Sequence, residues 1–265
     1  MAQIARPTGI IGGSGMLGRA IAQALIDRGA VSAADLWICN RSGSRAGLEQ
    51  FTEVTVTTDV AELAAACEIV VLCLPPAALP GLSLSMPDRL VISVMAGVTT
   101  DRLEEATGSG RIVRAMTSPA AAIGLAYSPW VATSAVNADD RACVTALFEA
   151  CGQTDEVGEE AQIDTFTALT GPVPGFVALY AQAMIDYATG AGIAPAIAER
   201  AVRQLFFASG AMLAHGADTP ADHVEQMIAY AGTTAAGLEE MRRLEIPERI
   251  AKGLDAAVRQ AREPV

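Results

Sequence analysis

Three glycines near the start of the chain have the spacing of a phosphate-binding turn. Gly13, Gly15 and Gly18 fit the pattern Gly-x-Gly-x-x-Gly, after a short apolar run and before a helical pattern that continues to Asp27. In such a turn one glycine makes the tight bend, the next lets a pyrophosphate approach the backbone, and the third lets helix and strand pack closely. The helix start then offers N–H groups and a positive dipole end to the phosphates. The motif predicts a dinucleotide site formed by Gly13, Ser14, Gly15, Met16, Leu17 and Gly18.

A polar loop follows the second predicted strand and indicates which dinucleotide is bound. A site for NAD places a carboxylate there, which accepts hydrogen bonds from the ribose hydroxyls. This chain has Asn40, Arg41 and Ser42 instead. A carboxylate would repel a 2′-phosphate, whereas an arginine beside two small hydrogen-bonding residues attracts one. The loop therefore predicts NADP(H) rather than NAD(H) as the cofactor, the alternative being an ordinary polar loop.

Small, uncharged residues stand where the fourth and fifth predicted strands end. Leu74 and Pro75 belong to the fourth strand and its loop, and Met95, Ala96 and Gly97 to the fifth. Ligands of doubly wound sheets bind beyond the carboxyl ends of the strands. We therefore expect these two loops to flank the nicotinamide, because a flat, neutral ring needs no charged partner there.

A second candidate anion site lies in the C-terminal half. Gly232, Thr233 and Thr234 open a predicted helix, so backbone N–H groups and two hydroxyls face whatever lies before it. A substrate carboxylate is well suited to that position. The alternative is an ordinary helix start, since threonine is a common N-cap residue.

The order of apolar runs and helical patterns predicts the fold class. Short apolar runs alternate with helical stretches up to residue 158, which is typical of parallel strands joined by crossover helices. From Glu159 onward only helical periodicity remains. We predict an α/β fold with a Rossmann-type doubly wound parallel sheet in residues 1–158 and an all-helical dimerisation domain in residues 159–265. The predicted strands cover residues 9–12, 36–39, 54–57, 69–74, 90–94 and 112–115, with an edge strand at 131–133.

The helical half contains prolines that interrupt it and small residues that allow close packing. Its predicted helices cover residues 159–186, 195–214, 219–229, 233–244 and 247–262, and the segment Gly171–Gly175 breaks the first of them. An apolar helical bundle of only about a hundred residues is expected to bury one face against another copy of itself. We therefore predict a homodimer or a larger homo-oligomer.

Composition and charge exclude several classes of protein. Of 265 residues 51% are apolar and 18% charged, which indicates a well-buried globular core. The net charge of −12 argues against nucleic acid or a membrane surface as partner. Neither a membrane-spanning stretch nor a signal-peptide core is apparent, so we expect a cytoplasmic protein. The five cysteines are scattered and predict buried free thiols, and the two histidines lack neighbours for a metal site.

The order of these motifs resembles that of the pyrroline-5-carboxylate reductase family along nearly the whole chain. The resemblance rests on GGSGMLGRAI at residues 12–21, SVMAGV at 93–98, RAMTS at 114–118, LTGPVPGF at 169–176 and AYAGTT at 229–234. It implies hydride transfer from NADPH to a cyclic imine acid, converting 1-pyrroline-5-carboxylate to proline. It also implies that Gly232, Thr233 and Thr234 hold the substrate carboxylate and that the Thr234 hydroxyl lies near the imine nitrogen.

Departures from the family pattern cluster in the substrate motifs. Pro172 and Val173 replace Ser-Gly, the segment 229–231 replaces Ser-Pro-Gly, and the first turn looks like that of deazaflavin-dependent NADP reductases. Tyr230 and Phe176 are therefore expected to line the substrate pocket. Three alternatives stand. The first is a reductase of the same architecture for another cyclic imine, a keto or β-hydroxy acid, or a deazaflavin, and the second is a non-catalytic NADP-binding sensor. The third, a structural dimer with a vestigial Rossmann domain, is disfavoured by the intact glycine turn. A β-hydroxyacid dehydrogenase is disfavoured because it needs a lysine early in the helical half, and Lys252 is the only lysine in the chain.

Overall fold

The computed structural model describes residues 2–45, 47–81 and 84–263. The chain forms two compact units. The first contains Met1–Val173 together with Ala257–Val265, and the second contains Pro174–Ala256. The sequence places the domain boundary after residue 158, where the strands end, and that boundary remains a proposal.

The first unit is built on an eight-stranded sheet. Its strands are β1 (Thr8–Ile11), β2 (Leu36–Cys39), β3 (Thr55–Thr57), β4 (Ile69–Leu72), β5 (Leu90–Ser93), β6 (Ile112–Ala115), β7 (Ala126–Ala132) and β8 (Gly152–Glu156). The order across the sheet is β3-β2-β1-β4-β5-β6-β7-β8, and β1 to β6 run parallel. The order reverses between β1 and β4, as in the doubly wound sheet that the sequence predicts.

The parallel strands end at one level, which brings four loops together. In the register of the sheet, Ile11 at the end of β1 pairs with Cys39 of β2 and Leu72 of β4, and Leu72 pairs with Ser93 of β5. The loops that follow these strands therefore open on the same edge of the sheet. This edge is where ligands of doubly wound sheets bind.

Helices cover both faces of this sheet. They are α1 (Met16–Asp27), α2 (Val60–Ala66), α3 (Thr100–Thr107), α4 (Ala138–Cys151) and α5 (Glu160–Leu169). Successive strand residues enter opposite cores: Ile10 belongs to one hydrophobic cluster and Ile11 to the other. The Asp59 carboxylate caps the start of α2 and accepts the Ala61 N–H at 2.8 Å.

Two strands differ from the sequence prediction. The sequence predicts only an edge strand at 131–133, but β7 begins five residues earlier, because Pro129 weakens the strand signal. It runs antiparallel to β6. The sequence misses β8 entirely, because its residues, GQTDE, are polar and half exposed. The far edge of the sheet is therefore mixed rather than parallel.

The second unit is helical throughout its described length. It contains α6 (Gly175–Gly190), α7 (Pro195–His215), α8 (Pro220–Ala229), α9 (Thr233–Arg243) and most of α10 (Ile246–Arg262). The predicted break is confirmed, since α5 ends at Leu169 and α6 begins at Gly175. Within the described residues α6 contributes no buried side chain, although its sequence is mostly apolar. None of the described helices combines the length and apolar character that crossing a membrane requires.

Candidate active site

The turn after β1 is shaped by glycines that leave no room for a Cβ atom. Gly12 has φ +85°, a left-handed conformation, and donates its N–H to the Cys39 carbonyl oxygen at 2.9 Å. A Cβ on Gly13 would lie 2.7 Å from the Ile38 side chain, and one on Gly18 would lie 2.5 Å from the Gly12 oxygen. The left-handed bend thus belongs to Gly12, which precedes the three motif glycines, and the close packing of α1 against the turn requires Gly18.

The start of α1 is open to an anion. Its N-cap, Gly15, provides no side-chain hydrogen bond, and its first turn contains no acidic residue. The first N–H groups of a helix have no partner within the helix, and they bind phosphate oxygens where no side chain caps them. The predicted residues Ser14, Met16 and Leu17 stand in and beside this turn. The turn therefore fits a pyrophosphate.

Asn40 organises the loop after β2. Its Nδ2 donates to the Ser44 carbonyl oxygen at 2.8 Å, and its Oδ1 accepts from the Ser42 N–H at 3.1 Å and the Ser42 hydroxyl at 2.9 Å. An aspartate could not donate the first of these bonds. Asn40 is buried, whereas Arg41 is exposed. The loop therefore offers a guanidinium and hydroxyl groups at the position where an NAD site has a carboxylate.

Two further arginines flank this loop. The guanidinium of Arg45 donates to the carbonyl oxygens of Phe51 at 3.0 Å, Val54 at 2.6 Å and Thr52 at 3.2 Å, so it holds the far side of the loop together. Arg19 of α1 is exposed. A Cβ on Gly47 would lie only 3.1 Å from its Cδ, so the Arg19 side chain covers that residue. The sequence analysis does not single out Arg19.

The loops after β4 and β5 are neutral. Leu74 and Pro75 lead into a short 3-10 turn at Pro76–Gly81. Burial raises the pKa of the neighbouring Cys73 thiol, which keeps it uncharged at neutral pH.

The loop after β5 is held by its own backbone and by the chain end. The Met95 N–H donates to the Ser93 hydroxyl at 3.2 Å. Gly97 has φ +69°, and a Cβ there would lie 2.7 Å from the Ala261 oxygen in the last turn of α10. The end of α10 therefore packs on the Met95, Ala96 and Gly97 loop that we expect beside the nicotinamide.

A buried ion-pair network lies behind this edge, and sequence reasoning gives it no role. Arg114 of β6 is 2% exposed; its Nη1 lies 3.1 Å from Glu160 Oε1 and its Nη2 lies 2.5 Å from Asp164 Oδ1. Glu160 also accepts from the N–H and hydroxyl of Thr100 at 2.8 and 2.9 Å. The network joins β6, α5 and the start of α3. Its one sequence signal is Arg114 in the RAMTS motif.

The start of α9 is a second helix end without a capping side chain. Its N-cap is Gly232, and neither Thr233 nor Thr234 caps it, so the ordinary N-cap interpretation of these threonines is wrong. The first turn contains no acid, and residues 232–234 are exposed. The structure thus leaves both hydroxyls and the first N–H groups of α9 facing solvent.

Tyr230 stands beside this helix end, and Phe176 does not line the same surface. Tyr230 is 84% exposed, and its ring lies 3.9 Å from where a Cβ on Gly232 would be. Ala231 between them has φ +52°, a left-handed conformation that favours glycine. Phe176 lies in an apolar groove of about 760 Å³ formed with residues of α7, α9 and α10, and residues 230–234 are not in its lining.

The thiols and the acidic residues form no metal centre in the described part of the chain. There, no group of three or more His, Cys, Asp or Glu side chains is placed to hold a metal ion. The five cysteines are free thiols. Burial raises the pKa of Cys67 and of Cys151 to about 12, so neither is a nucleophile at neutral pH.

Two family models match separate parts of the chain. The family model described as "Pyrroline-5-carboxylate reductase dimerisation" matches residues 160–264. The family model described as "NADP oxidoreductase coenzyme F420-dependent" matches residues 7–97. The pyrroline-5-carboxylate reductase of Synechocystis is 29% identical over 260 residues, which cover 96% of this chain and 97% of that protein. The Escherichia coli enzyme of the same name is 29% identical over 256 residues, 94% of this chain and 92% of that protein.

Solved structures show the same architecture. A pyrroline-5-carboxylate reductase from Coxiella burnetii is 26% identical and superposes with a TM-score of 0.86, over 97% of this chain and 98% of that one. The Plasmodium falciparum pyrroline carboxylate reductase, solved with NADP bound, is 23% identical with a TM-score of 0.82, over 98% of both chains. At 23% identity, the likeness to the Plasmodium falciparum structure shows that the two proteins share a fold.

Proposed function

We propose that this chain belongs to the pyrroline-5-carboxylate reductase family and reduces 1-pyrroline-5-carboxylate to proline with NADPH as the hydride donor. The observation that carries the proposal is the uncapped start of α9. Gly232, Thr233 and Thr234 keep the turn that, by resemblance to the family, binds the substrate carboxylate.

The first unit fits NADPH on its own chemistry. The turn at Gly12–Gly18 and the open start of α1 bind the pyrophosphate, and Asn40, Arg41 and Ser42 bind the 2′-phosphate. Leu74, Pro75 and the Met95–Gly97 loop flank the nicotinamide. No carboxylate from residues 40–45 opposes the phosphate. When bound, the cofactor supplies the hydride.

In this proposal the protein accelerates the reaction mainly by positioning the substrate rather than by acid–base catalysis. A protonated cyclic imine is already electrophilic at carbon, so holding that carbon in a reactive orientation supplies most of the rate. The N–H groups at the start of α9 hold the carboxylate, and the Thr234 hydroxyl oxygen accepts a hydrogen bond from the N–H of the protonated imine. Tyr230, beside this helix start, lines the apolar side of the ring in this proposal, whereas Phe176 lies in the separate groove.

The functional unit in this proposal is a homodimer, or a larger ring, formed through the dimerisation domain at residues 160–264. Homo-oligomerisation agrees with the many exposed apolar side chains of the second unit. A location in the cytoplasm is proposed from the sequence alone.

The match to F420-dependent oxidoreductases covers residues 7–97, the nucleotide-binding part. Because the match ends at residue 97 and does not reach the proposed substrate residues, it gives no support to a deazaflavin substrate.

A cofactor-consumption assay tests the function. Purified protein is mixed with NADPH and 1-pyrroline-5-carboxylate, and the loss of reduced-nicotinamide absorbance is followed, with NADH in parallel. We expect turnover with formation of proline and a preference for NADPH. Six-membered cyclic imine acids and an oxidised deazaflavin serve as comparison substrates. NADPH binding without turnover of the pyrroline would contradict the proposed substrate, and turnover of another imine alone would replace it.

A further inference from the structure

We infer that Arg19 is a second cation for the 2′-phosphate of NADPH, acting from α1 opposite Arg41. The inference rests on the proposed function, because it concerns the cofactor of that reaction. It adds a specificity-determining residue outside the loop that the sequence identifies.

Arg19 lies in the first turn and a half of α1, directly after Gly18 of the phosphate-binding turn. Its side chain crosses to the β2–β3 loop. A Cβ on Gly47 would meet its Cδ at 3.1 Å and its Nη1 at 3.3 Å. Gly47 has φ +89°, a left-handed conformation that favours glycine. The absence of a side chain at Gly47 also leaves room for Arg19. The guanidinium therefore lies over Gly47, in the same β2–β3 loop that begins with Asn40, Arg41 and Ser42.

The same face of α1 contacts this loop again one turn later. Gln50 Nε2 lies 3.4 Å from Gln23 Oε1, four residues beyond Arg19 on the helix. The two contacts place the Arg19–Gln23 face of α1 against residues 47–50 of the loop that begins at Asn40.

The charges around the loop leave Arg19 and Arg41 for a ligand. The guanidinium of Arg45 is used by three backbone carbonyl groups. Neither Arg19 nor Arg41 forms an ion pair with an acidic side chain in residues 2–45, 47–81 and 84–263. Glu49 is the nearby acid, and its carboxylate accepts the Gly47 N–H at 3.0 Å. This hydrogen bond lowers the Glu49 pKa, and the positive charges of Arg19 and Arg45 lower it further.

A phosphate monoester matches this arrangement. It carries between one and two negative charges at neutral pH and accepts paired hydrogen bonds from guanidinium groups. NADH has a hydroxyl at that position and gains little from a second arginine. Arg19 should therefore increase the affinity for NADPH and leave the affinity for NADH nearly unchanged.

Titration calorimetry with adenosine 2′,5′-bisphosphate and with 5′-AMP tests this directly, since both probes bind without turnover. We expect Arg19→Gln to weaken binding of the bisphosphate about fivefold and to leave 5′-AMP unchanged, since exposed ion pairs are of modest strength. Arg28→Gln, at the other end of α1, is the matched control and should leave both affinities unchanged. An unaltered ratio of the two affinities in Arg19→Gln would overturn the inference.

Glu49→Gln provides an independent test. The amide keeps an acceptor for the Gly47 N–H and removes the charge that competes for Arg19. We expect tighter binding of the bisphosphate, about twofold, with 5′-AMP unchanged. Equal or weaker binding would count against a role for Arg19. If the wild-type protein itself failed to distinguish the two probes, the NADPH assignment would fail with the inference, whereas loss of the Arg19 effect alone leaves that assignment intact.

Discussion

At Gly18, an added Cβ would lie 2.5 Å from the Gly12 oxygen and 2.8 Å from the Gly13 Cα. We expect Gly18→Ala to lower the free energy of unfolding by about 1–3 kcal/mol, because α1 must move away from the turn. The same movement should weaken NADPH binding about tenfold, a loss of about 1.4 kcal/mol. Urea unfolding and fluorescence titration measure the two effects. Gly158→Ala is the control, because nothing lies within 4 Å of its added Cβ. Normal NADPH affinity in Gly18→Ala would contradict the assigned turn.

Thr234 is the residue that we place beside the reacting bond. It is exposed and does not cap α9, so its hydroxyl has no structural task at the helix start. We expect Thr234→Ala to lower kcat about tenfold, the size of one hydrogen bond to a charged group, with NADPH affinity unchanged. Thr234→Ser keeps the hydroxyl and should retain most of the activity. Equal losses in kcat and in cofactor affinity would show that Thr234 acts elsewhere.

Asp140 connects α4 to the start of the chain and to the residue that precedes β6. Its side chain is fully buried and pairs with Arg6 at 2.7 Å and with Arg111 Nε at 2.9 Å. Burial alone would raise the Asp140 pKa, but the hydrogen bonds from Arg111 and Arg6 outweigh it and the pKa is lowered. A lowered pKa means that the carboxylate stabilises the fold above the ordinary aspartate range and loses that effect as the pH falls through the folded value.

We therefore expect Asp140→Asn to cost about 2–4 kcal/mol of stability at neutral pH, because two arginines lose their partner. The difference in unfolding free energy between the variant and the wild type should become smaller below about pH 4, because the wild-type carboxyl group also loses its charge there. Urea unfolding at several pH values measures this. Asp139→Asn, on the exposed neighbour, should change stability by less than about 1 kcal/mol. A difference that stays constant with pH would mean that the charge of Asp140 is not what stabilises the fold.

The elements that sequence reasoning finds are those with a strong local signal. Strands β1, β2, β4, β5 and β6 are almost wholly apolar and buried, so their positions are predicted within two residues at either end. The polar strand β8 has no such signal, because its register comes from pairing with β7. The proposed cofactor residues stand out in the sequence because the loops that contain them follow strands with a strong apolar signal. Arg114 is missed as a network residue because its partner Asp164 lies 50 positions away.

The second unit exposes large apolar side chains that a single chain would be expected to bury. Leu179 is 73% exposed, Phe207 73% and Tyr187 81%, all on α6 and α7. Apolar side chains in such number on adjacent helices mark a protein interface. In the proposed homo-oligomer a second copy covers these side chains. The second unit is therefore harder to predict than the first, because one sequence does not show that copy.

Leu179→Asp tests this directly. Since Leu179 is exposed in the single chain and lines the apolar groove with Phe176, a charge there should leave the fold intact but oppose association. We expect the mass measured by light scattering to fall towards that of one chain, 27.3 kDa, and turnover to fall with it. Leu125→Asp is the matched control, because Leu125 is 74% exposed but lies in the first unit. An unchanged oligomer in Leu179→Asp would show that copies associate through another surface, and normal turnover by a stable monomer would show that the site is complete within one chain.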